Sequence, residues 1–148
     1  MKRYLPIVLI MIVSLCSQTG EIVYQRESGI ITRIIDGDTF YLEDERVRLI
    51  GINTPESYEE CYNKGTEKLK ELILDKQVFL EKGVLETDEY GRLLRYVFVD
   101  DIFVNLEMIR SGYAYSWKIE PDIKYSVQFE DTENYARENG IGCLWGQR

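Results

Sequence analysis

A chain of 148 residues, 45% hydrophobic and 30% charged, has enough apolar side chains to enclose one core and too many to remain disordered. It contains no histidine, which removes the commonest general base, the commonest zinc ligand and every Ser-His or Cys-His nucleophile pair. Its net charge of −8, from 18 basic and 26 acidic side chains, opposes diffuse binding to polyanions, so a phosphate-bearing partner would need a local basic patch.

Residues 1–20 read as an export signal. Lys2 and Arg3 precede an apolar run from Leu5 to Cys16, too short for a comfortable membrane span and followed by small residues. A retained anchor helix, or a lipidated Cys16 exposed by cleavage, are the other readings. Cleavage would remove two basic side chains and no acid, taking the charge of the remaining domain, residues 21–148, to −10. The expected location is secreted or extracytoplasmic, with membrane contact only through this N-terminal segment. Cys61 and Cys143 remain once Cys16 is set aside, and they are either a bridge suited to an oxidising compartment or two unrelated thiols.

The first half of the domain is strand-like. Gly29 to Ile35 is short and β-branched, Asp36-Gly37-Asp38 breaks it with turn chemistry, Thr39 to Leu42 resumes, and Arg46 to Ile52 follows a polar turn. The period then changes. Leu69, Leu72 and Ile73 fall at helical spacing within Asn63 to Lys76, with charged residues opposite. Gln77–Lys82 and Leu93–Val99 are two further strands around a charged loop, Glu86 to Gly91. Asn105 is placed as the cap of a short helix ended by Gly112, and a last helix carries Tyr125, Phe129, Thr132 and Ala136 on one face. The predicted fold is mainly β with helices: a single domain built as a five-stranded OB-fold barrel plus three α-helices.

Polar residues interrupt these strands at their ends. Asp38, Asn53 and the Thr54 carbonyl offer the hard oxygens that Ca²⁺ takes. Arg48 lies inside an apolar strand, where a charge is costly unless paired or turned to a ligand, and Arg92 opens the strand at Leu93. Two guanidinium forks match phosphate oxygens, and Glu56 can accept a proton from an attacking water. These are the parts of metal-assisted phosphodiester hydrolysis.

The run IIDGDTFYLEDERVRLIGINTPE, followed by TDEYGRLLRYVFVD and NLEMIRSGYA, resembles the staphylococcal nuclease family over residues 28–145. The resemblance implies an OB-fold with three helices and Ca²⁺-dependent endonucleolytic cleavage of single- or double-stranded DNA and of RNA, leaving 3′-phosphates. It implies that Asp38 and the Thr54 carbonyl bind the metal, that Arg48 and Arg92 bind phosphate, and that Glu56 is the general base. Asp36 matches an acid just outside the metal's ligands, and Tyr90 a tyrosine that touches the bound nucleotide. Two positions depart from the pattern. Asn53 stands where many members have a second aspartate ligand, which predicts weaker calcium affinity. Glu89 is acidic where a basic residue would favour nucleic acid. The alternative is a non-catalytic OB-fold module that binds nucleic acid or protein at the cell surface; neither reading requires an obligate protein partner, and a monomer is expected.

Overall fold

The computed structural model describes residues 27–146, so the predicted export segment 1–20 lies outside the described residues. The first strands are β1 (Glu27–Ile30), β2 (Arg33–Ile34), β3 (Thr39–Leu42), β4 (Glu45–Leu49) and β5 (Ile52–Asn53). Helix α1 (Tyr62–Ile73) leads into β6 (Gln77–Thr87), β7 (Leu93–Val99) and β8 (Ile102–Phe103). Then come α2 (Val104–Arg110), β9 (Tyr115–Ser116), α3 (Ser126–Glu138) and α4 (Gly142–Trp145). No helix among the described residues is long and apolar enough to cross a membrane.

The main sheet runs β1-β6-β7-β4-β3-β2, with β8 added on β7; β5 and β9 pair separately. All these pairs are antiparallel except β4 with β7. The two ends of the strand order, β1 and β2, are consecutive in the chain and separated only by Ile31 and Thr32. A sheet whose opposite edges come from one bent segment must curl, and this produces the mainly β, OB-like half-barrel. Ile31 bridges Leu74 at the bend and is wholly buried.

One face of the strands fills the interior. Phe40, Val47, Leu49, Val78, Leu80 and Val97 meet Leu69 and Ile73 of α1 and Met108 and Ile109 of α2 in a continuous core. Burying a Leu, Ile or Phe side chain stabilises by roughly 1.5–3 kcal/mol, so the alternation of Arg46, Val47, Arg48 and Leu49 in β4 suffices to set which face turns inward.

Several element boundaries differ from those read in the sequence. The Arg46–Ile52 strand is interrupted because Gly51 adopts φ +78, where a Cβ would lie 2.4 Å from the Phe129 ring. Gln77–Lys82 continues through an irregularity to Thr87, so Glu86 belongs to a strand rather than to the loop. Helix α1 stops at Ile73 because Leu74 turns extended and Asp75 takes φ +58. Asn105 is not a cap. Phe103 holds that position, and Asn105 lies one residue inside α2, wholly buried. Its amide accepts from the Val97 N–H at 2.9 Å and donates to the Ile50 carbonyl at 2.8 Å, satisfying backbone groups the sheet leaves unpaired. The three expected helices are joined by α4, a single turn seated against the end of α2: Leu144 N–H donates to Gly112 O, and a Cβ on Gly112 would meet Ile141 O at 1.9 Å.

Candidate active site

The Asp36–Asp38 turn is held from within. The Asp36 carboxylate accepts the Asp38 N–H at 3.1 Å, and Ile35 and Asp36 both donate to Thr39 O. Gly37 is required by proximity, because a Cβ there would stand 2.9 Å from the Thr54 side chain. This close approach brings Asp38 and Thr54 together. Oδ2 of Asp38 accepts from both the N–H and the hydroxyl of Thr54, at 3.0 and 2.9 Å, and Oδ1 accepts from the Thr39 hydroxyl at 2.9 Å.

Arg48 completes the cluster. It stands opposite Thr39 across the β3–β4 pair and forms an ion pair with Asp38. Its Nη2 donates to the Ile52 carbonyl at 3.2 Å and to the Asn53 amide oxygen at 3.0 Å. Asp38, Arg48, Asn53 and Thr54 are therefore one contact network. Asp36 is pushed up to about 6, first by burial and then by the neighbouring Asp38 charge.

Arg92 comes from a different element. The Asp88 carboxylate shapes the turn before β7 by accepting the N–H groups of Tyr90 and Arg92 at 2.9 and 3.0 Å, and it takes the Arg92 Nε–H at 2.7 Å. Burial works against the charged form of Asp88, but these bonds from Arg92 outweigh it and hold the carboxyl below its usual range. Gly91 turns through φ +72 with open space around it, and the Arg92 guanidinium lies 5.4 Å from the Tyr90 ring.

Arg48 and Arg92 face a common cavity of about 400 Å³, walled also by Tyr90, Leu85, Trp117 and Ile119. Arg48 is the residue that links this cavity to the Asp38 cluster. Glu56 is exposed on the turn after Pro55 and outside the cavity wall; its N–H donates to the Glu59 carboxylate at 2.6 Å. A second depression, about 560 Å³, is lined by Arg110 of α2 and by residues of α3 including Thr132, but none of the catalytic, metal or substrate residues read from the sequence lines it.

Sequence reasoning did not assign Trp117, which is half exposed in the cavity wall and placed by its N–H bond to Gly51 O at 2.9 Å. The signal available was the aromatic run Tyr113, Tyr115, Trp117; only its third member lines this cavity. Cys61 and Cys143 form a disulfide with Cα atoms 5.7 Å apart, joining the residue before α1 to α4.

No cluster of three or more His, Cys, Asp or Glu side chains suited to a metal ion occurs among the described residues. The donors present are nevertheless hard oxygens. Asp38 Oδ1 and Asn53 Oδ1 each have one protein donor, leaving a lone pair apiece, and the Asp36 carboxylate lies beside them, accepting the Asp38 N–H. This set fits Ca²⁺ chemistry with one neutral member, Asn53, and with Arg48 already bridging two of the prospective ligands.

A small curled barrel presenting two arginines, an acidic turn and an aromatic-walled cavity defines a phosphate-handling OB-type enzyme domain. Residues 46–147 match the family described as staphylococcal nuclease homologue. A thermonuclease of Staphylococcus intermedius is 33% identical over 129 residues, covering 80% of this chain and 76% of that protein. A thermonuclease of Staphylococcus hyicus is 29% identical over 118 residues, covering 73% and 70%, and an uncharacterized endonuclease of Escherichia coli is 30% identical over 123 residues, covering 80% and 75%. The chain belongs to the staphylococcal nuclease family of phosphodiester-cleaving hydrolases.

Proposed function

We propose that this protein is an exported, calcium-dependent endonuclease that hydrolyses DNA and RNA to products bearing 3′-phosphates. The observation that carries the reading is Arg48, bonded on one side to Asp38 and Asn53 and facing on the other a cavity it shares with Arg92. Asp38, Asn53 and the Thr54 carbonyl would hold the calcium, with Asp36 adding negative charge behind them. When bound, the ion supplies a fixed positive charge that polarises the phosphate and the attacking water.

The protein's own groups account for the rest. Arg48 and Arg92 bind the non-bridging phosphate oxygens and neutralise the charge that grows on them as phosphorus becomes five-coordinate. Glu56 accepts a proton as a water oxygen bonds to phosphorus; the bond to the 5′-oxygen breaks, and that oxygen takes a proton from solvent. The phosphate stays on the 3′-oxygen. Tyr90 and the apolar wall beside it cover the nucleotide. The protein acts as a monomer. Export is supported by the N-terminal sequence and by the Cys61–Cys143 bridge, which suits an oxidising compartment.

The test is cleavage of single-stranded DNA with Ca²⁺ and with EGTA. Wild type cuts only with Ca²⁺, its products lose label from 3′-phosphates on phosphatase treatment, and Glu56→Ala lowers kcat by about 10²–10⁴. Cleavage that survives EGTA, or a fully active Glu56→Ala, refutes the mechanism; binding without cleavage in every condition assigns the protein to the non-catalytic OB modules.

A further inference from the structure

We propose that the outer face of the sheet carries a second nucleic-acid subsite, a track running from the Arg48–Arg92 cavity through Arg46 and Tyr41 to Arg33, which holds the single strand flanking the bond being cut. The proposal rests on the nuclease reading above and deepens it.

The register builds the track. Arg33 faces Tyr41 across β2 and β3, and Tyr41 faces Arg46 across β3 and β4. The three side chains therefore form one row, perpendicular to the strands. The adjacent row in the same strands, Ile34, Phe40 and Val47, points the other way, with Phe40 and Val47 wholly buried, so the row of Arg33 and Arg46 faces out. Strand spacing of about 4.8 Å puts Arg33 and Arg46 roughly 10 Å apart at the backbone. Arg46 is two residues before Arg48 on β4 and shares its face. Its Nη2 donates to Tyr90 O at 3.1 Å, so the row ends on the loop that carries Arg92.

The charges in this row are available. Among the described residues Arg48, Arg92, Arg95, Arg110 and Arg137 each have a carboxylate partner. Arg33 and Arg46, both exposed, make no such ion pair there. In a chain of net charge −8, the two described arginines without a carboxylate partner fall in one row on either side of Tyr41, with Arg46 at the end nearer the cavity. The Arg33 guanidinium stands over the Tyr41 ring, its carbon 3.4 Å from the ring centre. Held this way, a guanidinium offers its N–H edges to phosphate oxygens and its outer plane to a base. Alternation of cation and aromatic along a shallow face suits a single strand, whose bases are free to stack, better than a duplex. The exposed acids Glu43 and Asp44 in the β3–β4 turn border the row and repel a strand that strays from it.

The experiment measures binding without turnover: fluorescence anisotropy of a labelled single-stranded oligonucleotide of about twelve nucleotides, in EGTA, across a range of salt. Each phosphate contact contributes about 0.7 to the slope of log Kd against log salt on single strands, so Arg33→Ala with Arg46→Ala lowers the slope by about 1.4. Arg110→Ala removes one positive charge from α2, outside this row, and leaves the slope at the wild-type value rather than lowering it by about 0.7. Arg33→Lys with Arg46→Lys keeps the charge and most of the slope, which separates loss of contact from loss of fold. An unchanged slope in the double alanine variant, or an equal fall in Arg110→Ala, overturns the track. A wild type that shows these slopes yet never cuts DNA refutes the nuclease reading while supporting the track.

Discussion

Replacing Asn53 by Asp adds one negative charge where Arg48 and the prospective calcium meet. The Asn53 amide oxygen accepts from Arg48 Nη2 at 3.0 Å, while the same guanidinium pairs with Asp38. Unit charges 4 Å apart attract by about 1 kcal/mol at a water-like dielectric and about 4 kcal/mol at the value typical near a protein surface. The double charge of calcium raises the gain to at least about 2 kcal/mol, and the new ion pair with Arg48, against which calcium must compete, returns about half of it. A net of about 1–2 kcal/mol corresponds to roughly tenfold less calcium for half-maximal activity. The variant also converts a neutral hydrogen bond from Arg48 into a charge-assisted one, so the calcium-free protein should melt no lower than wild type. Calcium titration of the initial cleavage rate, with thermal unfolding in EGTA alongside, measures both. An unchanged half-maximal calcium concentration in a folded, active Asn53→Asp refutes the placement of residue 53 among the ligands.

Two further outcomes test the scaffold. Cys61 and Cys143 are separated by 82 residues, and closing a loop of that size removes enough unfolded-state entropy to stabilise by about 4 kcal/mol. Cys61→Ser with Cys143→Ser should lower the urea midpoint accordingly, and reduction of wild type should reproduce it; equal midpoints before and after reduction would deny the bridge any stabilising role. Hydrogen bonds from the buried Arg95 hold the Glu27 and Glu86 carboxyls below their usual range. A lowered folded pKa means stability that is complete above the ordinary value, about 4.3, and is lost as pH falls through the folded values. Glu27→Gln with Glu86→Gln should flatten this part of the acid limb in denaturant titrations from pH 5 to 2; a limb as steep as that of wild type would assign acid sensitivity to other carboxyls.

The Asp38, Arg48, Asn53 and Thr54 cluster was legible because each residue is polar at the end of, or within, an apolar strand, and adjacent strands bring such ends together. What escaped the sequence depended on distant partners. Asn105 has the composition of a helix cap, and only the carbonyl of Ile50, 55 residues away, makes it a buried cross-link. Glu86 looks like loop chemistry until Arg95, nine residues on, supplies the guanidinium that holds it at the end of a long strand. Trp117 is aimed into the cavity by a bond to Gly51 O that no local pattern announces. Helix α4 exists because Gly112 and Gly142 let two backbones touch, a contact that neither segment reveals by itself.

The bend at Ile31 and Thr32 also governs how copies of this protein meet one another. An open sheet edge is a template on which a neighbouring molecule can add a strand, and long apolar edges nucleate aggregates. Here the margin formed by β2 is only two residues long and carries the exposed Arg33. One kinked segment supplies both margins of the sheet, and at the β2 margin it offers little backbone for a second molecule to extend. Straightening that kink would lengthen both edges at once, turning a closed fold into one prone to polymerise.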